Sequence, residues 1–256
     1  MKVTVIGCGN LGSAVVEGLV NKGYDVVACD KDEEALDALS DGVVKEKDAG
    51  KAVEGSELVV VAVKPEVVGP VLGSFDADDG QVVASFAAAV SLGYVRERTD
   101  GRAVRVMPNL AGEYNEMTAA VCADDGVPDE VARVLDDLGS YVEVDEELMD
   151  IATAVNGSGP AFVFYAMKAM RDAGVEGGLD EEDAGTLIAQ TFRGAAAIVQ
   201  NDERSLDELI DAVCSPGGTT VEGMEVLRES DAGRPFADAV GAAERRSVEI
   251  TEELDL

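Results

Sequence analysis

The chain has 256 residues, room for one or two domains, and 46% of them are hydrophobic, ample for a folded core. Acids outnumber bases by 52 to 20, a formal net charge of −32, and that field repels nucleic-acid phosphates and anionic lipid, so neither is an expected partner. The acids are spread along the whole length and not gathered in a tail. They read either as an ordinary solvated surface or, more sharply, as adaptation to concentrated salt, where 1 M salt screens self-repulsion within about 3 Å.

Lys2–Ile6 is a short apolar run that predicts a strand, ending in Gly7-Cys8-Gly9-Asn10-Leu11-Gly12. Leu11, Ala14, Val15, Gly18 and Leu19 then keep helical spacing, and Gly23 ends that helix. Residues 24–29 predict a second strand closing at Asp30, and 31–39 a helix. Residues 58–63 form a continuous apolar run, as in a parallel strand covered on both faces. Residues 81–85 and 103–107 predict further strands. This β-α-β-α series argues for an α/β fold with a doubly wound sheet over residues 1–147. From Leu148 onward the periods are helical. Leu206, Leu209, Ile210 and Val213 share one face, and Phe236, Ala239, Val240, Ala243, Ser247 and Ile250 share another. Residues 148–256 therefore read as an all-helical domain whose apolar faces suit packing against a second copy.

The glycine loop has the context a dinucleotide site needs: a strand before it, a helix after it, and an acid roughly 20 residues on. Gly7 permits the tight turn, Gly9 lets the backbone approach a pyrophosphate, and Gly12 lets helix and strand pack closely. The helix start at Asn10 offers N–H groups and a partial positive end. Asp30 is placed to accept hydrogen bonds from an adenosine ribose diol. A carboxylate there repels a 2′-phosphate and favours NADH over NADPH, although Lys31 weakens the discrimination. The other reading of Asp30 is an N-cap of the next helix.

A second loop, Cys214-Ser215-Pro216-Gly217-Gly218-Thr219-Thr220, breaks one helical pattern and opens the next. Bare N–H groups and hydroxyls at such a helix start suit a small carboxylate; a plain N-cap is the alternative. The chain has no His. Ketone reduction needs a group such as His or Lys to protonate the alkoxide, whereas a protonated C=N is already electrophilic. A cyclic imino acid thus fits better than a keto acid, with Lys168 either a surface lysine or a proton donor. Cys8, Cys29, Cys122 and Cys214 form no CxxC pair and read as reduced thiols of a cytoplasmic protein. No ligand spacing points to a metal, and neither a signal peptide nor a membrane span is expected.

Taken together these motifs resemble pyrroline-5-carboxylate reductase, nearly along the full length. The resemblance rests on residues 5–13, Ala62-Val63-Lys64-Pro65, Arg105-Val106-Met107-Pro108-Asn109, Gly157-Ser158-Gly159-Pro160-Ala161, Asp172-Ala173-Gly174-Val175, Ala189-Gln190-Thr191 and the 214–220 block. It implies an N-terminal Rossmann domain and a C-terminal helical domain that interlocks in a homodimer, with dimers assembling further into decamers. It implies reduction of 1-pyrroline-5-carboxylate to L-proline by NAD(P)H. By position it implies that Gly7, Cys8, Gly9, Asn10, Leu11 and Gly12 hold the pyrophosphate. Ala62, Val63, Lys64 and Pro65, with Phe86, Ala87, Ala88 and Asn109, would line the nicotinamide side. Ser215, Gly217, Gly218, Thr219 and Thr220 would hold the substrate, with Thr220 donating to the ring nitrogen as the catalytic group. Four positions depart from the family pattern: Leu110-Ala111 follow Asn109 in place of Thr-Pro, Asn156 stands for Ser, Ala49 for Asn and Phe162 for Tyr. The remaining functional alternatives are another nicotinamide dehydrogenase, of β-hydroxyacid or F420 type, and a dinucleotide-binding regulator without turnover. For the single residues, Lys64-Pro65 also reads as a strand-ending turn, Gly157–Pro160 as a helix-packing stretch and Arg105 as a sheet-end ion pair.

Overall fold

The computed structural model describes residues 1–254. In chain order it runs β1 (Lys2–Ile6), α1 (Asn10–Asn21), β2 (Asp25–Cys29), α2 (Glu33–Asp37), β3 (Val44–Glu46), α3 (Ala49–Val53), β4 (Leu58–Val61) and α4 (Pro65–Leu72). Next come β5 (Val82–Ser85), α5 (Leu92–Arg96), β6 (Arg102–Pro108), a 3-10 turn (Ala111–Tyr114), β7 (Met117–Cys122), α6 (Asp129–Leu138) and β8 (Gly139–Glu143). A 3-10 turn (Glu146–Leu148), α7 (Met149–Ala152) and a π-helical turn (Thr153–Gly157) lead into α8 (Gly159–Glu176), α9 (Glu181–Asn201), α10 (Leu206–Val213), α11 (Thr219–Glu229) and α12 (Gly233–Leu254).

The eight strands form one sheet in the order β3-β2-β1-β4-β5-β6-β7-β8. All neighbours run parallel except β6 and β7. The order reverses between β1 and β4, and the crevice above such a switch point is where open α/β sheets bind ligands. Burial explains why these strands are legible as apolar runs. All of β4 and β5 is buried, as is β1 after Lys2. Val3 and Val5 face one side of the sheet with Val15 and Leu19 of α1; Ile6, Val59 and Val61 face the other with Val68 and Leu72 of α4. Thr4, fully buried among them, is satisfied by donation to the Ala52 carbonyl at 2.6 Å and a hydroxyl pair with Ser56 at 2.7 Å.

Contacts divide the chain differently from the expected 1–147 and 148–256. One compact unit is Met1–Ser158 with Val240–Leu256; the other is Gly159–Ala239. Helical periodicity does begin near Leu148, but the first helical turns stay with the sheet. Met149 is fully buried with Leu92, Ala120 and Cys122. The end of α12 belongs there too: Ser247 donates to Asp150 at 2.6 Å, and Thr251 to the Ala89 carbonyl at 3.1 Å.

Arg105 is the ion pair its position suggested. Its side chain is buried, Nη1 lies 2.7 Å from Glu146 and Nη2 3.9 Å from Asp150, and the Leu92 N–H donates to the same Glu146 oxygen at 3.1 Å. Removing the guanidinium leaves carboxylates facing the sheet end without a cation. Arg105→Ala is therefore expected to lower stability by about 3 kcal/mol, measured as a drop in urea midpoint at constant m; a loss within experimental error would show that the pair contributes nothing.

In the second unit α8 packs on α9, with Ala184 buried against Gly174. Phe164, Tyr165, Leu187 and Val226 stay largely exposed in the single chain. Ser205 and Glu208 cap α10 reciprocally.

Candidate active site

The glycine loop turns where β1 ends. Gly7 has φ +97°, and a Cβ there would meet the Ala62 carbonyl oxygen at 2.6 Å. A Cβ on Gly12 would lie 1.8 Å from the Gly7 oxygen, so α1 sits against β1 with no room for a methyl group. Gly9 differs: a Cβ there meets nothing within 4 Å. It is the N-cap of α1 and brings no side-chain cap, so no capping side chain occupies the opening N–H groups of Asn10 and Leu11. Those donors at a helix start suit a pyrophosphate, and the room above Gly9 admits one. Ser13 turns its hydroxyl back onto the Gly9 carbonyl at 2.9 Å.

Asp30 is not the cap of α2. Asp32 is, accepting the Glu34 N–H at 3.0 Å. Asp30 instead accepts the Cys8 N–H at 2.6 Å and the Asp32 N–H at 2.9 Å, which ties the end of β2 to the glycine loop. Cys8 and Cys29 are buried beneath it; burial first, then the Asp30 carboxylate, pushes their thiols up to about 12 and about 11. Cys122 is pushed up to about 12, by burial and then by Glu146. Buried thiols held protonated in this way are packing groups, so Cys8 has only its backbone to offer a ligand.

Beside the loop lies a cleft of about 420 Å³ whose lining includes Gly7, Asp30, Lys31, Lys47, Ala49 and Val63. Lys64 is the N-cap of α4 and Pro65 its first residue, so this pair opens a helix three residues past the end of β4; the Lys64 side chain is exposed. Phe86 and Ala87 point into the core and Ala88 is partly exposed, so the first two can face a ligand only through the main chain. Ala89 holds φ +59°, a left-handed conformation for a residue with a Cβ.

Asn109 follows β6 and sits in a network that the motif alone did not reveal. Its Oδ1 accepts the Ala111 and Thr118 N–H groups at 3.2 and 3.3 Å, and its Nδ2 donates to Asn156 at 3.4 Å. Asn156, on the π-helical turn, donates to the Met107 and Thr118 carbonyls, both at 2.8 Å. A serine hydroxyl carries one proton and makes one of these donations, not both. Leu110 is exposed and lines a different cleft, with Gly9, Asn10 and Glu113. A Cβ on Gly157 would lie 2.7 Å from the Met107 side chain, as the packing reading of this stretch expects.

In the second unit, Gly217 has φ +71° and Gly218 donates to the Ser215 carbonyl at 2.9 Å. Gly218 is the N-cap of α11, without a side-chain cap. Neither Ser215 nor the two threonines at the helix start therefore serve as caps; Ser215, Thr219 and Thr220 are exposed beside opening N–H groups that no side chain caps. Lys168 is exposed and paired with Asp172 one turn on, a surface lysine.

Residues 146–250 match the family described as pyrroline-5-carboxylate reductase dimerisation, and residues 2–89 the family of F420-dependent NADP oxidoreductases. A pyrroline-5-carboxylate reductase of Methanosarcina acetivorans is 35% identical over 97% of both chains. That of Arabidopsis thaliana is 31% identical over 98% of this chain and 96% of its own. A Plasmodium falciparum pyrroline carboxylate reductase, solved with NADP bound, superposes with a TM-score of 0.86 at 26% identity over 98% of both chains. Identity of this extent, shared by the sheet and the helical region alike, shows that the chain belongs to the pyrroline-5-carboxylate reductase family.

Proposed function

We propose that the chain reduces 1-pyrroline-5-carboxylate to L-proline, the last step of proline biosynthesis, at the residues named from its sequence. The observation that carries the reading is a pair of uncapped helix starts. Gly9 opens α1 over a loop with space for a pyrophosphate, and Gly218 opens α11 among three free-standing hydroxyls. Bound NAD(P)H supplies the hydride. Asn10 and Leu11 hold the pyrophosphate by their N–H groups, Asp30 accepts from the adenosine ribose, and the main chain at 62–65 and 86–88 with Asn109 flanks the nicotinamide. Ser215, Gly217, Gly218 and Thr219 hold the carboxylate of the imino acid, and Thr220 donates to the lone pair that hydride addition frees on the ring nitrogen. No strong acid is needed, because the protonated imine is already the electrophile, and Lys168 stays with Asp172. The assay is oxidation of NADH and NADPH in the presence of pyrroline-5-carboxylate. Cofactor binding without turnover at any KCl concentration would overturn the reading.

Asp30 makes NADH the preferred reductant. A kcat/KM several-fold higher with NADH than with NADPH is the expected outcome; a strong NADPH preference would show that Asp30 does not meet the ribose. The apolar faces of the second unit, within the region matched by the dimerisation family, are covered by a second copy in a homodimer, and five dimers make a decamer. Among the described residues no helix is long and apolar enough to cross a membrane, and the buried free thiols suit the cytoplasm.

The charge reading gives a further expectation. With 52 acids and 20 bases, most carboxylates have no cation to pair with. Screening by KCl relieves their repulsion, and a gain of roughly 2 kcal/mol between dilute and molar KCl raises the melting temperature by about 4–8 °C. A melting temperature that stays flat or falls with KCl would count against salt adaptation.

A further inference from the structure

We propose that Lys47 is a specificity-determining residue that sets how far this chain tolerates a 2′-phosphate on its dinucleotide. The inference rests on the reading of Asp30 as the ribose acceptor, and it adds a group from another strand. β3 pairs with β2 so that Glu46 lies opposite Cys29, and the Asp30 N–H donates to the Glu46 carbonyl at 3.3 Å. The residue after β3 is thereby carried to the cleft that Asp30 lines. Lys31 and Lys47 are the cations of that lining, Asp30 and Asp48 its anions.

The surrounding carboxylates are not equally available. Asp30 accepts the Cys8 and Asp32 N–H groups. Glu46 accepts those of Lys47 and Asp48, and these hold it below the usual glutamate range. Asp48 caps α3 by accepting the Lys51 N–H at 3.0 Å. The ammonium of Lys47 pairs with Glu33 at 3.0 Å, with both side chains more than half exposed. An exposed pair of this kind is weak and exchanges readily. A phosphate monoester carries about −1.5 to −2 charge at pH 7 and outcompetes a single carboxylate for the ammonium. Asp30 repels the 2′-phosphate while Lys47, released from Glu33, attracts it. The balance lets a cleft with an acid at the end of β2 still accept the phosphorylated dinucleotide, though less well than the unphosphorylated one.

The test is calorimetric titration of the full-length protein, without cofactor, with 2′,5′-ADP and with 5′-AMP at one fixed KCl concentration. Lys47→Gln is expected to weaken 2′,5′-ADP about fivefold, the gain of one close charge pair in water, and to leave 5′-AMP within about twofold. Glu33→Gln, which frees the ammonium, is expected to tighten 2′,5′-ADP alone. The ratio of KM for NADPH to KM for NADH should rise in Lys47→Gln in parallel. Equal weakening of both nucleotides, or an unchanged 2′,5′-ADP affinity, overturns the proposal. Asp30→Asn tests the reading beneath it separately: failure of that variant to tighten 2′,5′-ADP removes the ribose assignment, while the effect of Lys47 is still read from its own variant.

Discussion

Gly12→Ala is expected to lose dinucleotide binding on the order of 100-fold and stability by about 3 kcal/mol. The added Cβ lies 1.8 Å from the Gly7 carbonyl oxygen, a main-chain atom that no rotamer change can move. Gly7 cannot yield either, since its own Cα faces the Ala62 carbonyl. The start of α1 must back away from β1, and its N–H groups lose their aim at the phosphates. Gly9→Ala separates the two effects. Its Cβ meets no protein atom within 4 Å, so the fold should keep its melting temperature while the methyl group takes up space meant for the pyrophosphate. The checks are nucleotide titration and urea unfolding of both variants. Normal nucleotide affinity in Gly12→Ala would mean that this loop does not carry the cofactor.

Thr220→Ala is expected to reduce kcat roughly 100-fold, the usual cost of one hydrogen-bond donor aimed at a reacting atom, with stability within about 0.5 kcal/mol of the parent. The small stability change follows from the structure. Gly218 caps α11 and the helix has no side-chain cap, so an exposed Thr220 has no capping bond to lose. Had it been a cap, the same variant would lose about 1 kcal/mol and keep its turnover. Thr220→Ser should recover most of the rate, because the hydroxyl and not the methyl group is the donor. Unchanged kcat in Thr220→Ala would remove Thr220 from the chemistry and leave the loop as a carboxylate grip. Ser215→Ala, by contrast, should raise KM for the imino acid more than it lowers kcat.

The strands read correctly from the sequence share one property: their apolar residues are buried on both faces of the sheet. Residues 58–61 are four consecutive buried apolar residues, and no surface period obscures them. β7 and β8 escaped notice for two different reasons. β7 is Met-Thr-Ala-Ala-Val-Cys, small residues that favour no strand strongly, and it runs antiparallel beside β6. β8 is a half-exposed edge strand, Gly-Ser-Tyr-Val-Glu. α2 begins at Glu33 and not at Lys31, because Asp32 takes the capping position. The glycines and the Ser215–Thr220 block were legible as motifs. Lys47 and Asn156 gave no comparable signal, since each acquires its role from a strand or turn distant in sequence.

The sequence by itself determined the α/β sheet, the glycine turn, the helix start at Thr219 and the family. These depend on backbone freedom at glycine and on apolar periodicity, which act over a few residues. Only the tertiary structure gave the cap of α2 to Asp32 and not Asp30, moved the compact boundary from 147 to 158, and returned the end of α12 to the sheet. It also set Lys47 beside Asp30 and Asn156 beside Asn109. Each of these is a contact between segments far apart along the chain. Such contacts are chosen by which buried donors and acceptors find partners once the strands have paired, and that choice is not written in any local pattern.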